Sequence, residues 1–208
     1  MKCDYSLYLV TDRGILKGRS LLQAVEEALA GGVTLVQLRE KDICSRDFYQ
    51  LGLAMKELTA RFGVPLLIND RLDIALAVDA DGVHIGQEDL PLAVVRRLIG
   101  PDKIVGYSVS NPTEARYGEK NGADYLGAGP VYVTSTKKVD IEPLGPAGLR
   151  QITAAVSIPV VGIGGINLNN IQKIKNSGLA GVSIVSGILG SDDPGRTARL
   201  IRQQWGNV

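Results

Sequence analysis

The chain has 208 residues, 45% of them hydrophobic and 22% charged, with a formal net charge of +1. That length is enough for one domain with a substantial core, or two small ones. The near-neutral balance supplies no basic field to hold nucleic acid or an anionic membrane, so any anion must be gripped by local geometry. Two cysteines, Cys3 and Cys44, make neither a disulfide framework nor a zinc spacing, and a reducing cytoplasm is the expected setting. The apolar run at 7–10 is short and is followed by Asp12 and Arg13, so it does not read as a signal peptide. The most apolar stretch, 178–190, is interrupted by glycine and falls short of the roughly 20 residues of a membrane helix. No linker or low-complexity segment divides the chain, and one domain over 1–208 is expected.

Taken in order, short runs at 6–10, 34–38, 65–68, 82–85, 103–107, 124–127, 159–163 and 181–185 are continuously apolar. Parallel strands buried on both faces have that pattern. Between them, apolar residues recur at helical spacing over 21–30, 47–62, 72–78, 92–99, 113–120, 148–155, 168–177 and 194–205. Eight regularly spaced β–α units predict a compact TIM (β/α)8 barrel. A doubly wound open sheet is the alternative, and the absence of an early G-x-G-x-x-G weighs against it.

Barrels carry their chemistry at the C-terminal ends of the strands. The second strand ends in Gln37-Leu38-Arg39-Glu40-Lys41, where alternation puts Gln37 and Arg39 on one side, facing the mouth. Arg39 offers a planar fork for phosphate and Lys41 a point charge, unless Glu40 neutralises both as an ion-paired rim. The third strand ends in Asn69-Asp70 and the fourth ends in the stretch from His84 to Asp89. Each aspartate is a natural helix cap, but two carboxylates at neighbouring strand ends also suit Mg2+, which takes few protein ligands and completes its shell with water and phosphate. His84, the single histidine, reads as a packed barrel residue. After the fifth strand Ser110 or Asn111 caps the next helix, leaving Ser108 at the mouth for hydrogen bonding; no neighbouring His or Cys in sequence marks it as a nucleophile. The sixth strand leads into 127–138, GAGPVYVTSTKK, where turn-forming residues precede three hydroxyls (Thr134, Ser135, Thr136) and two cations (Lys137, Lys138). These are the parts of an anion-binding loop, with a solvated polar turn as the alternative. Glycine-rich turns follow the seventh strand (Gly162–Asn167) and the eighth (around Val185-Ser186-Gly187). Each is expected to feed a helix N-terminus and so to form a phosphate site.

The set QLREK at 37–41, ND at 69–70, DGVHIGQEDLP at 81–91, GYSVSN, GADYLGAGPVY followed by TSTKK, and GIGGIN resembles the thiamine-phosphate synthase family, in order and over most of the chain. The resemblance implies a transferase that joins 4-amino-2-methyl-5-(diphosphooxymethyl)pyrimidine to a thiazole phosphate or its carboxylated form, releasing pyrophosphate. It implies that Gln37, Leu38, Arg39, Glu40, Lys41, Asn69, Ser108 and Lys137 address the pyrimidine diphosphate. Of these, Arg39, Ser108 and Lys137 are also implied in catalysis. Thr134, Ser135, Thr136, Gly165, Val185 and Ser186 are implied for the thiazole phosphate, and Asp70 and Asp89 for Mg2+. Expected partners are therefore small phosphorylated substrates, with no nucleic acid or membrane, and a homo-oligomer is left open. Val133 departs from the proline of many members, and 139–142 is more acidic than expected. A thiazole tautomerase of the same barrel family would want an acid–base residue where Ser108 stands. It is the nearest rival reading, and a non-catalytic phosphate-ligand sensor is a second.

Overall fold

The computed structural model describes residues 3–16, 18–134 and 142–206. Within them eight parallel strands close into a barrel in chain order: β1 (Leu7–Val10), β2 (Leu35–Leu38), β3 (Leu66–Asn69), β4 (Gly82–Ile85), β5 (Ile104–Val109), β6 (Tyr125–Ala128), β7 (Val160–Ile163) and β8 (Gly181–Ile184). Leu7 lies opposite Val182 and Leu9 opposite Ile184. That seam closes the barrel and removes the two edges an open sheet would have left. Around the barrel run α1 (Leu21–Ala30), α2 (Ser45–Arg61), α3 (Leu72–Ala77), α4 (Leu92–Ile99), α5 (Pro112–Lys120), α6 (Gly145–Thr153), α7 (Ser186–Leu189) and α8 (Pro194–Trp205). None of the described helices is long and apolar enough to cross a membrane.

Strand alternation divides the interior in two. Outward residues such as Leu7, Leu9, Val36, Leu38, Leu66 and Ile68 join the helices in a large outer core. Inward residues Tyr8, Val10, Leu35, Leu67, Tyr125 and Val161 form a smaller inner core with Tyr5. Burial on both faces is why the strands read as unbroken apolar runs. The β1–β8 seam is tight: a Cβ added to Gly181 would stand 1.7 Å from the carbonyl oxygen of Tyr5.

Local sequence sets the helix ends. Asn111 Oδ1 accepts from the backbone N–H groups of Thr113 and Glu114, both at 3.0 Å, and Glu114 accepts from the Ser110 N–H at 2.6 Å. This reciprocal cap settles the choice between Ser110 and Asn111 in favour of Asn111. Asn111→Ala is expected to cost about 1 kcal/mol, read as a fall in melting temperature of roughly 2–4 °C.

One expected helix is replaced. Residues 168–177 carry only a 3-10 turn, Ile171–Ile174. Here asparagine side chains take the backbone's hydrogen bonds: Asn170 Oδ1 accepts from Asn167 N–H at 2.8 Å and Asn167 Oδ1 from Asn169 N–H at 2.9 Å. Such local bonds compete with an α-helical ladder. Also, α6 begins at Gly145 rather than 148, with a proline in its first turn.

Candidate active site

A cavity of about 590 Å3 opens at the C-terminal ends of the strands, and every strand contributes to its wall. Arg39, Lys41, Asp70 and Asp89 stand in it with Gln37, Asn69, Ser108, Thr134, Gly165, Val185 and Ser186. Eleven positions scattered from 37 to 186 are thus brought to one mouth. Leu38 and Glu40 are not in the wall. The Leu38 side chain is fully buried in the outer core, and Glu40 accepts from Arg13 Nε at 2.9 Å. Glu40 therefore does not neutralise Arg39 and Lys41, contrary to the rim reading. Ser135, Thr136, Lys137 and Lys138 lie outside the described residues. A shallower depression of about 270 Å3 between α1 and α2 holds Arg61 and Glu26, already paired at 3.0 Å.

The two aspartates do not serve as helix caps. Arg71 and Pro91 occupy the cap positions of α3 and α4, and neither makes a side-chain cap bond. Asp70 has φ +61°, a left-handed conformation that Asp and Asn adopt more readily than most residues. Its N–H donates to the His84 carbonyl at 2.8 Å. Asp89 Oδ2 accepts from the Gly86 N–H at 2.7 Å. Burial raises the Asp89 carboxyl above its ordinary range, the Gly86 N–H opposes this, and the Asp70 charge adds to the rise. Burial also pushes Asp70 upward, but the Lys41 ammonium, 2.5 Å away, outweighs it and holds Asp70 below the ordinary range. The two carboxyls therefore share one electrostatic environment, with Lys41 as their cation. Arg39 lies 3.7 Å from Asp12.

The described residues contain no group of three or more His, Cys, Asp or Glu side chains placed to hold a metal. The donor set present is a pair of hard carboxylate oxygens at adjacent strand ends beside open cavity. That fits a cation such as Mg2+, which binds through one or two carboxylates and takes its other oxygens from water and phosphate.

At the other side of the mouth, Gly164 and Gly165 have φ of +96° and +70°. A Cβ on Gly165 would come within 2.7 Å of the Val133 carbonyl oxygen. The turn after β7 is thus laid against the start of the loop after β6, and Tyr132 N–H donates to the Gly164 carbonyl at 3.0 Å. The β8 turn runs directly into α7, which Ser186 begins. The β7 turn leads only to the 3-10 turn, which corrects the expectation of two helix N-termini.

Several polar groups in the cavity were not expected. Tyr8 and His84 line it. A continuous chain of contacts joins Gln37 Nε2 to Tyr8 Oη, Tyr8 Oη to Tyr125 Oη (2.8 Å), Tyr125 Oη to His84 Nδ1 (2.7 Å) and His84 Nε2 to Ser108 Oγ (2.9 Å). Ser183 Oγ is buried in the wall with no hydrogen-bond partner among the described residues. Gln87 fastens the rim, donating to the Ser108 carbonyl at 2.8 Å and accepting from Tyr107 Oη at 2.9 Å. The available sequence signal was inward register: Tyr8, His84, Tyr125 and Ser183 sit at alternate positions facing the barrel axis.

A family model described as thiamine monophosphate synthase matches residues 7–188. The thiamine-phosphate synthase of Desulfitobacterium hafniense (strain Y51) is 58% identical over 207 residues, covering 100% of both chains. That of Clostridium novyi (strain NT) is 52% identical over 193 residues, covering 93% of this chain and 95% of its own. A solved structure, the thiamine phosphate pyrophosphorylase from Pyrococcus furiosus, superposes with a TM-score of 0.89 at 39% identity, covering 97% of this chain and 96% of its own. On this agreement of family model, sequence and fold, the chain belongs to the thiamine monophosphate synthase family, transferases of thiamine biosynthesis.

Proposed function

We propose that the cavity joins a pyrimidinylmethyl diphosphate to the ring nitrogen of a thiazole phosphate, or of its carboxylated form, releasing pyrophosphate. The carboxylated substrate also releases CO2. What supports this most is that one cavity places two carboxylates and two cations at one side and the Gly165, Val185 and Ser186 turn at the other. That is room and charge for two anionic substrates.

Pyrophosphate leaves readily only when its growing charge is met as the C–O bond breaks, which is where stabilisation accelerates the step. Arg39 and Lys41 stand to meet it, with Lys137 as a further cation. Asp70 and Asp89 would hold Mg2+, whose chemistry when bound is charge neutralisation at the diphosphate oxygens. Lys41, which here balances Asp70, would then be free to turn to the substrate. Gln37, Asn69 and Ser108 would orient the pyrimidine. Thr134, Ser135, Thr136, Gly165, Val185 and Ser186 would hold the thiazole phosphate. The pyrimidine's amino group supplies electrons to the methylene carbon as the diphosphate departs with the C–O bond pair, and the thiazole nitrogen then captures that carbon, so no side chain need act as base or nucleophile. The protein supplies alignment and exclusion of water. The whole chain acts as one catalytic domain in the cytoplasm, on small phosphorylated molecules and without nucleic acid.

Purified protein given both substrates and Mg2+ is expected to release pyrophosphate and form thiamine phosphate in equal amounts. Folded protein that releases none would reject the reading.

A further inference from the structure

The chain from Gln37 to Ser108 crosses the barrel through β2, β1, β6, β4 and β5, and each member has a limited supply of protons. Gln37, Tyr8 and Tyr125 are all nearly or fully buried (3%, 2% and 0% exposed), so a proton without an acceptor would be costly. At one end the Gln37 amide nitrogen can only donate. Tyr8 Oη accepts that bond, and its own proton then has one further partner, Tyr125 Oη at 2.8 Å. Tyr125 accepts in turn and passes its proton to His84 Nδ1 at 2.7 Å. A ring nitrogen that accepts carries no hydrogen, so the proton of the imidazole sits on Nε2 and donates to Ser108 Oγ at 2.9 Å. The Ser108 oxygen is thereby used as an acceptor, and its hydrogen is left to point into the cavity.

Two glycines make the passage physically open. A Cβ on Gly106 would fall 2.3 Å from Tyr125 Oη and 2.4 Å from His84 Nδ1, and one on Gly127 would stand 3.1 Å from His84 Cε1. The phenols keep their protons, because burial raises both Tyr8 and Tyr125 well above the ordinary phenol range.

We propose that His84 is a positioning residue. Its ring, set by the directed chain from Gln37 through Tyr8 and Tyr125, makes Ser108 a hydrogen-bond donor to the pyrimidine diphosphate. Ser108 would then give its hydrogen to a lone-pair-bearing atom of that substrate. Such linked bonds polarise one another, so the effect of Gln37 reaches Ser108 across the whole barrel. The assignment of the ligand rests on the function proposed above; the direction of the chain rests instead on the Gln37 amide turning its nitrogen to Tyr8.

Because His84 is the only histidine in the sequence, 15N-labelled protein gives a one-histidine ring spectrum. Substrate-free protein at neutral pH is expected to show a single tautomer, protonated at Nε2 and bare at Nδ1. A spectrum of the Nδ1–H form, of both nitrogens protonated, or of averaged tautomers overturns the direction. Kinetics test the link to Ser108. Tyr125→Phe keeps the ring that packs on Tyr5 at 4.8 Å and removes only the relay hydroxyl. It is expected to raise KM for the pyrimidine diphosphate about five- to tenfold, the loss of one neutral hydrogen bond. In a Ser108→Ala background the same change should add less than about twofold. Full additivity of the two changes overturns the positioning role. If the wild-type protein releases no pyrophosphate, the functional reading fails while the spectrum still decides the chain's direction.

Discussion

Asp70→Asn is expected to lower Mg2+-dependent turnover by roughly 10²-fold or more, the scale of losing one well-placed electrostatic contributor to a charged transition state. The fold survives, for two reasons visible in the backbone. Asp70 sits at φ +61°, and asparagine is among the residues that tolerate this region best. The N–H that joins β3 to β4, Asp70 to the His84 carbonyl at 2.8 Å, belongs to the main chain and is untouched. The lost partner of Lys41 matters little to stability. That ammonium side chain is 51% exposed, and exposed pairs contribute about 0–1 kcal/mol. The expected outcome is thus a melting temperature close to wild type, a collapse of turnover, and a larger Mg2+ requirement for what remains. Full activity with unchanged Mg2+ dependence would remove Asp70 from the metal site.

Gly181→Ala destabilises the barrel by about 3 kcal/mol or more, in the range of overpacking that cannot relax. The obstruction is backbone: the carbonyl oxygen of Tyr5 at 1.7 Å and the Cα of Ser6 at 2.9 Å from the new Cβ. Neither can move without parting β1 from β8, the seam that closes the barrel. Gly63→Ala is the matched control. Gly63 has φ +65° with nothing within 4 Å of the new carbon, so it carries conformational strain alone, about 1–2 kcal/mol. Thermal or urea unfolding of the two variants separates them. Equal losses would show that the close approach at the seam is not what requires glycine at 181.

The barrel was legible because its strands are buried on both faces, and unbroken apolar runs such as 34–38 mark that environment plainly. Helix ends were legible where side chains cap them, as Asn111 does. The expected helix at 168–177 fails because the spacing of Leu168, Ile171 and Ile174 is visible in the sequence while the competing bonds of Asn167 and Asn170 are not. Helix α7, four residues long, is too short to show a period. In the cavity, Arg39, Lys41, Asp70 and Asp89 were readable as charged residues that packing does not need. In the sequence His84 reads as packing, because a lone histidine on an apolar strand ordinarily is. Tyr8 and Tyr125 share its difficulty: each is a large buried ring whose single polar atom matters only once its neighbour across the barrel is known. Sequence separation between partners, 117 residues for Tyr8 and Tyr125, hides such a chain from any local pattern.

The division into two cores has a consequence for how this protein can change over generations. Most of the outer core lies between strands and helices; apart from Val109, Ile166 and Ile184, which also line the cavity, its side chains can drift or be exchanged for stability while the chemistry is spectator to the change. The inner core has no such freedom. Tyr8, Val10 and Val161 belong both to it and to the cavity wall. A mutation that reshapes the binding surface there also disturbs the packing that fills the barrel. Adaptive exploration of new substrates is therefore tied to robustness at these few positions. Reserve stability accumulated in the outer layer is what would allow the inner one to be tried.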